Sequence, residues 1–170
     1  MTKSKLKWYW KNYATQVIRL DQFALANIGL IQSQTVLKIA NYKIICAPHQ
    51  ISMQKSLLFV VLNKDEIPFF NQYKEKLAAL KLTFQKNLKT IPLKFFVWVI
   101  IKQISPIRGK ENMCLIEVSY KNCPESLISI IGQHISTLQV LEKFYHRYKG
   151  TEISIDRHSS RILQYNNYIE

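Results

Sequence analysis

A chain of 170 residues, 48% of them hydrophobic, has the length of one domain and the apolar content for a real core, which excludes disorder over most of it. Twenty-four Lys and Arg against eleven Asp and Glu give a formal charge of +13, a balance that attracts polyanions such as nucleic acid, nucleotides or anionic lipid. The N-terminus lacks the apolar stretch of a secretory signal, and the longest apolar run, Phe95 to Ile101, is too short to cross a bilayer as a helix. With three cysteines, none in a Cys-x-x-Cys pair, the expectation is a soluble, cytoplasmic protein.

Residues 3 to 19 mix Lys with Trp8, Tyr9, Trp10, Tyr13, Val17 and Ile18, which predicts a short amphipathic helix docking its aromatics on the domain. From Asn27 the pattern turns to strands over 28–31, 35–40 and 42–47, with Asn41 at a turn and Pro48 ending the third. Leu57 to Leu62 is another apolar run. Ile67, Phe70, Tyr73, Leu77 and Leu80 then recur at helical spacing and predict a helix over 65–79. Residues 81–85, 94–104 and 113–120 read as three further strands, the middle one bounded by Pro92 and Pro106. Pro124 suits the first turn of a helix, and Glu125 places a favourable charge there. Leu127, Ile131, Ile135, Leu138, Leu141 and Tyr145 form its apolar stripe, with Gly132 as a point of kinking and Gly150 as the stop. Residues 151–155 alternate as a strand would. The sum is a mainly β (α+β) fold: a small barrel of six to seven strands with one inserted helix and a long C-terminal amphipathic helix.

Chemistry is sparse along this chain. Cys46-x-x-His49 is the one local pair with metal-ligand character, and it lacks partner ligands; Cys114 and Cys123 read as core thiols. No paired carboxylates, nucleophile turn, Walker loop or dinucleotide fingerprint occurs, which points away from an enzyme and from a resident cofactor. On residues 94–102, cations and rings alternate, as a nucleic-acid-binding strand would require. The competing and preferred expectation sends Phe95, Val97, Val99 and Ile101 to the core and packs Phe96, Trp98 and Ile100 under a helix.

Five blocks, IGLIQSQTVLKI, KIICAPHQISMQKSLLFVVLN, LKLTFQK, PLKFFVWVIIKQI and CPESLISIIGQHI, fall in an order and at spacings similar to those of the N-terminal PilZ-like domain of spirochaete cyclic-di-GMP receptors. The resemblance covers roughly residues 20 to 165 and is strongest at the Pro-Glu-Ser-Leu-Ile helix start and its basic end. It implies a PilZ-type barrel over 20–150, preceded by a basic aromatic segment (1–19) and followed by a tail (151–170) resembling the start of a second PilZ domain. In such receptors the second barrel holds the dinucleotide. The binding elements there are an RxxxR segment and a D/N-x-S-x-x-G turn, whose guanidinium forks bracket phosphates bidentately and whose small residues admit a base.

This chain departs from both elements. The register of RxxxR falls on Tyr148 to Glu152, where neither arginine is present; His146, Arg147 and Lys149 supply cations nearby. Arg157-His-Ser-Ser-Arg161 carries the spacing but lies out of register. The nearest counterpart of the second element, Gln50-Ile-Ser52-Met-Gln-Lys55, keeps its serine and puts Lys where glycine is needed. The resemblance therefore implies a non-enzymatic regulatory or interaction module of cyclic-di-GMP signalling with degenerate ligand motifs, contacting a protein partner or a second protomer through the helix at 124–149. Two alternatives stand beside it: a basic nucleic-acid-binding module, and a cyclic-di-GMP receptor that uses Arg147, Lys149, Arg157 and Arg161.

Overall fold

The computed structural model describes the backbone of residues 1–148 and side chains through residue 145. In chain order the elements are α1 (Lys3–Tyr13), β1 (Ile18–Arg19), α2 (Gln22–Ile28), a 3-10 turn at Gln32–Gln34, β2 (Val36–Ile39), β3 (Tyr42–Ile51) and β4 (Lys55–Val61). They continue as α3 (Glu66–Asn71), β5 (Leu77–Phe84), β6 (Leu93–Pro106), β7 (Met113–Tyr120) and α4 (Glu125–Tyr148). The expected strand at 151–155 lies outside the described residues.

Strict alternation of apolar side chains makes the sheet. Leu80 and Leu82 on β5, Val97, Val99 and Ile101 on β6, and Ile116 and Val118 on β7 are fully buried, and their neighbours, apart from the buried Thr83, are partly or fully exposed. The strands run β3-β2-β5-β6-β7-β4, every pair antiparallel, and β4 pairs back onto β3. That pairing closes a six-stranded barrel and removes its edges. β1 is an extra strand, adding Ile18 and Arg19 alongside Ile51 and Gln50 at the far end of β3. Phe70 of α3 is buried and meets the rings of Tyr42 and Phe69 edge-on. α4 lays Leu127, Ile131 and Ile135 against the core.

Four features depart from the sequence expectation. The helix expected over 65–79 stops at Asn71, and its second half becomes β5, because residues 78, 80, 82 and 84 also form a two-residue apolar repeat that pairs with β6 over eight residues. Glu75, with φ at +62°, turns the chain between the two, and its N–H donates to the Ile101 carbonyl at 2.8 Å. Residues 22–28 are helical where 28–31 had read as a strand; the Asp21 carboxylate caps the Ala24 N–H at 2.9 Å, and Gly29 (φ +75°) ends the helix. Pro48 does not end β3: the strand runs through it with a register shift between Pro48 and Gln50, which accommodates the missing N–H. Finally, α1 ends at Tyr13, and only Tyr9 and Tyr13 dock, while Trp8 and Trp10 stay 50% and 41% exposed.

Gly132 is a notch rather than a kink. A Cβ built there would lie 2.9 Å from Cδ1 of Tyr9 and nearer still to Cγ and Cδ2, so the missing side chain is what lets α1 pack on α4. The Tyr13 hydroxyl adds a hydrogen bond to Gln139 Oε1 at 2.8 Å.

Candidate binding surfaces

The Gln50–Lys55 string forms the hairpin turn between β3 and β4. Ser52 is buried, and its hydroxyl is spent within the turn: Oγ accepts from the Gln54 and Lys55 N–H groups at 3.1 and 3.0 Å and donates to the Lys55 carbonyl at 3.3 Å. Met53 is fully buried below it. Lys55 reaches across to Glu117 at 3.1 Å, an exposed ion pair worth little on its own. The turn is thus held by its own serine, and its lysine is directed to a neighbouring strand.

Beside this turn lies an open cavity of about 540 Å³ lined by Trp10, Met53, Gln54, Tyr120, Lys121 and Cys123. Tyr120 hydrogen-bonds closely to Ser56, and burial holds its phenol far above the usual range. Burial likewise pushes the Cys123 thiol up to about 12, so it stays protonated and unreactive at neutral pH. The cavity supplies ring faces and amides together with one cation, Lys121. No sequence motif marks it, since it joins residues from α1, the β3–β4 turn and the end of β7.

Of the cationic candidates, Arg147 falls in the last turn of α4, with its side chain outside the described residues. Lys149, Arg157 and Arg161 lie wholly outside them. Among the described residues of α4, Val140 and Phe144 are half exposed, one helical turn apart on the same face, beyond the part of the helix that covers the barrel.

Cys46 and His49 do not form a metal site. The Cys46 thiol is buried, faces the Thr35 carbonyl at 3.8 Å and is pushed up to about 12 by desolvation, while His49 tilts against Phe59 and is held below its ordinary value by burial and by Arg19. No group of three or more His, Cys, Asp or Glu among the described residues is placed to hold a metal ion. No described helix is long and apolar enough to cross a membrane. His134 is buried where α4 meets α2, its Nδ1 2.5 Å from the Asn27 amide nitrogen, and desolvation lowers it to about 4.

The outer wall of the barrel overturns the packing expected for β6. Phe96 and Trp98 are 70% and 59% exposed, and no described helix covers them. Alternation correctly assigns them to the face opposite Val97 and Val99, but it cannot tell which outer face a helix will cover. α1 and α2 pack on α4, and α3 packs on β6, yet Phe96 and Trp98 stay exposed.

The match to known proteins agrees with this architecture. A family model described as the PilZN3 domain matches residues 4–137. The crystal structure of the Borreliella burgdorferi PlzA protein in complex with c-di-GMP aligns at a TM-score of 0.61 and 19% identity, covering 93% of this chain and 64% of that one. The chain therefore spans less than two thirds of that protein. Weaker likenesses are the PilZ domain with c-di-GMP of YcgR from Escherichia coli (TM-score 0.43, 11% identity, 81% of this chain and 98% of that one) and the K. pneumonia MrkH–c-di-GMP complex (0.44, 13%, 76% and 53%). No curated protein matches the chain. With the family model covering most of the chain and the closed barrel shared with PlzA, the protein belongs to the PilZN3 domain family.

Proposed function

We propose that this chain acts in cyclic-di-GMP signalling as a non-enzymatic, cytoplasmic PilZ-like regulatory and interaction module whose own barrel does not take the dinucleotide through the usual motif. The observation that carries this reading is the Ser52 turn. The motif implied by the resemblance has Asp or Asn two residues before its serine and glycine three residues after it, where this chain has Gln50 and Lys55. Here the hydroxyl is buried and saturated within the turn, and Lys55 stands at the glycine position and pairs with Glu117. The PlzA protein was crystallised with c-di-GMP and is longer than the stretch matched here. That relation supports placing this chain in the same signalling system with a role as an interaction module. The second half of α4, with Val140 and Phe144 exposed, offers a contact to a protein partner or a second protomer.

Calorimetric titration of the full chain with cyclic di-GMP, with the linear dinucleotide as control, tests the reading. Silence is the expected result. Saturable binding in the micromolar range that is lost in Ser52→Ala would overturn it in favour of the turn. Binding that is lost instead in Arg157→Ala or Arg161→Ala would overturn it in favour of a receptor that works through the basic tail.

A further inference from the structure

The exposed wall of the barrel carries a second kind of site, independent of the cyclic-dinucleotide reading. Phe96 and Trp98 stand two residues apart on β6, so their rings leave the same face about 7 Å from one another. The register sets Lys81 of β5 opposite Phe96 and Ala79 opposite Trp98, and on β2 it sets Lys38 beside Ala79. Because Ala79 has only a methyl group, the surface between Trp98 and Lys38 sinks into a shallow trough about 10 Å, or two strand spacings, across. Lys121 closes the other side of the ring; its backbone N–H donates to the Trp98 carbonyl at 2.9 Å. Glu75 and Glu117 are engaged by Lys102 and Lys55, and Lys38, Lys81 and Lys121 make no ion pair among the described residues.

From this we infer that the β2–β5–β6 wall binds single-stranded nucleic acid, with Trp98 and Phe96 as stacking platforms for bases and Lys38, Lys81 and Lys121 as partners of the phosphates. The pairing of ring with cation is what decides the ligand class. Bases offer flat faces to the rings whatever their sequence, and the phosphates on either side meet the lysines. A duplex fits poorly, because its major groove admits a helix or a two-stranded ribbon and not a barrel wall of several strands. An acidic protein would satisfy the lysines but leave two separately presented rings without flat partners.

The experiment is fluorescence anisotropy with a labelled oligo(U) of about 15 nucleotides, beside a duplex of equal length and a poly-glutamate peptide as probes of plain charge attraction. The expected result is binding to oligo(U) that the Phe96→Ala/Trp98→Ala variant weakens by about tenfold or more. Lys38→Ala/Lys81→Ala should reduce the slope of log affinity against log salt by about 0.7 for each phosphate that is no longer neutralised. Both rings are exposed, so the ring variant should retain its fold, as checked by its thermal melt. Ala79→Glu, which puts an anion in the trough, gives a second reading. Equal oligo(U) affinity in wild type, ring variant and Ala79→Glu would overturn the inference and reduce the attraction to net charge. Poly-glutamate binding with the same dependence on the rings would overturn it in favour of an acidic protein partner.

Discussion

Replacing Gly132 by alanine separates two effects that ordinarily run together. In a helix interior, Gly→Ala stabilises by about 1 kcal/mol through backbone entropy. Here the new methyl would enter the Tyr9 ring, at distances that real Cβ atoms do not show, and the ring is pinned by Trp8 and Tyr13 as well as by α4. Overpacking of this kind costs roughly 1–3 kcal/mol, and its upper limit is set by letting α1 come off. Undocking exposes the nearly buried Tyr9 and Tyr13 and breaks the hydrogen bond to Gln139, several kcal/mol at about 25 cal/mol per Å². The expected net result is a loss of about 2 kcal/mol, or roughly 4–8 °C in melting temperature for a chain of this size. Urea unfolding of Gly132→Ala, of Tyr9→Ala and of the double variant measures it, and limited proteolysis of α1 locates it. In the Tyr9→Ala background the same substitution should turn stabilising, by about the helix-propensity value. A destabilisation of equal size in both backgrounds would refute the notch and leave Gly132 a matter of local helix geometry.

The remaining predictions concern buried polar groups. His134 is almost wholly inaccessible, faced by the Asn27 amide, the Phe23 ring and, more distantly, the Asp21 carboxylate, and burial lowers it to about 4 from an ordinary value near 6.5. Between those values the unfolded chain binds a proton that the folded chain does not, so stability rises with pH there and is lost as pH falls from about 6.5 toward 4, by up to roughly 3 kcal/mol. Chemical denaturation across that window should show the slope in the wild type and a flatter profile in His134→Gln; an unchanged slope would assign it to other groups. Ser52→Ala removes the three hydrogen bonds that hold the β3–β4 turn and should cost about 1–2 kcal/mol by urea unfolding, whereas a neutral substitution would show that the turn is set by its flanking strands.

Several of these groups were visible in the sequence and several were not. Asp21 and Gly29 carry the ordinary start and stop signals of α2, but the seven-residue helix between them has too few turns for its apolar spacing to compete with the strand-like Ile28 to Ile31. Leu80 fits both the helical repeat of Phe70, Tyr73 and Leu77 and the strand repeat of residues 78, 80, 82 and 84, and only pairing with β6 chose between them, which left Leu77 on the outer face. The candidate site was legible in part. Ser52 was singled out by its place in a motif-like string, but its burial and the closing of its hydroxyl within the turn are products of the hairpin. The exposure of Phe96 and Trp98 was misjudged because no local pattern records which wall of a barrel the helices cover.

What the sequence determined by itself is what depends on neighbours along the chain. That includes the alternation that builds β6 and β7, the proline start and apolar stripe of α4, the strong positive charge and the lack of catalytic motifs. The tertiary structure decided what depends on residues far apart. Closure of the barrel joins β4 to β3; the notch at Gly132 receives a ring from residue 9; the wall of β2, β5 and β6 sets Lys38, Lys81 and Trp98 side by side. The physical reason is that strand pairing and helix docking are chosen by the total apolar surface they bury together, a quantity that no segment holds alone.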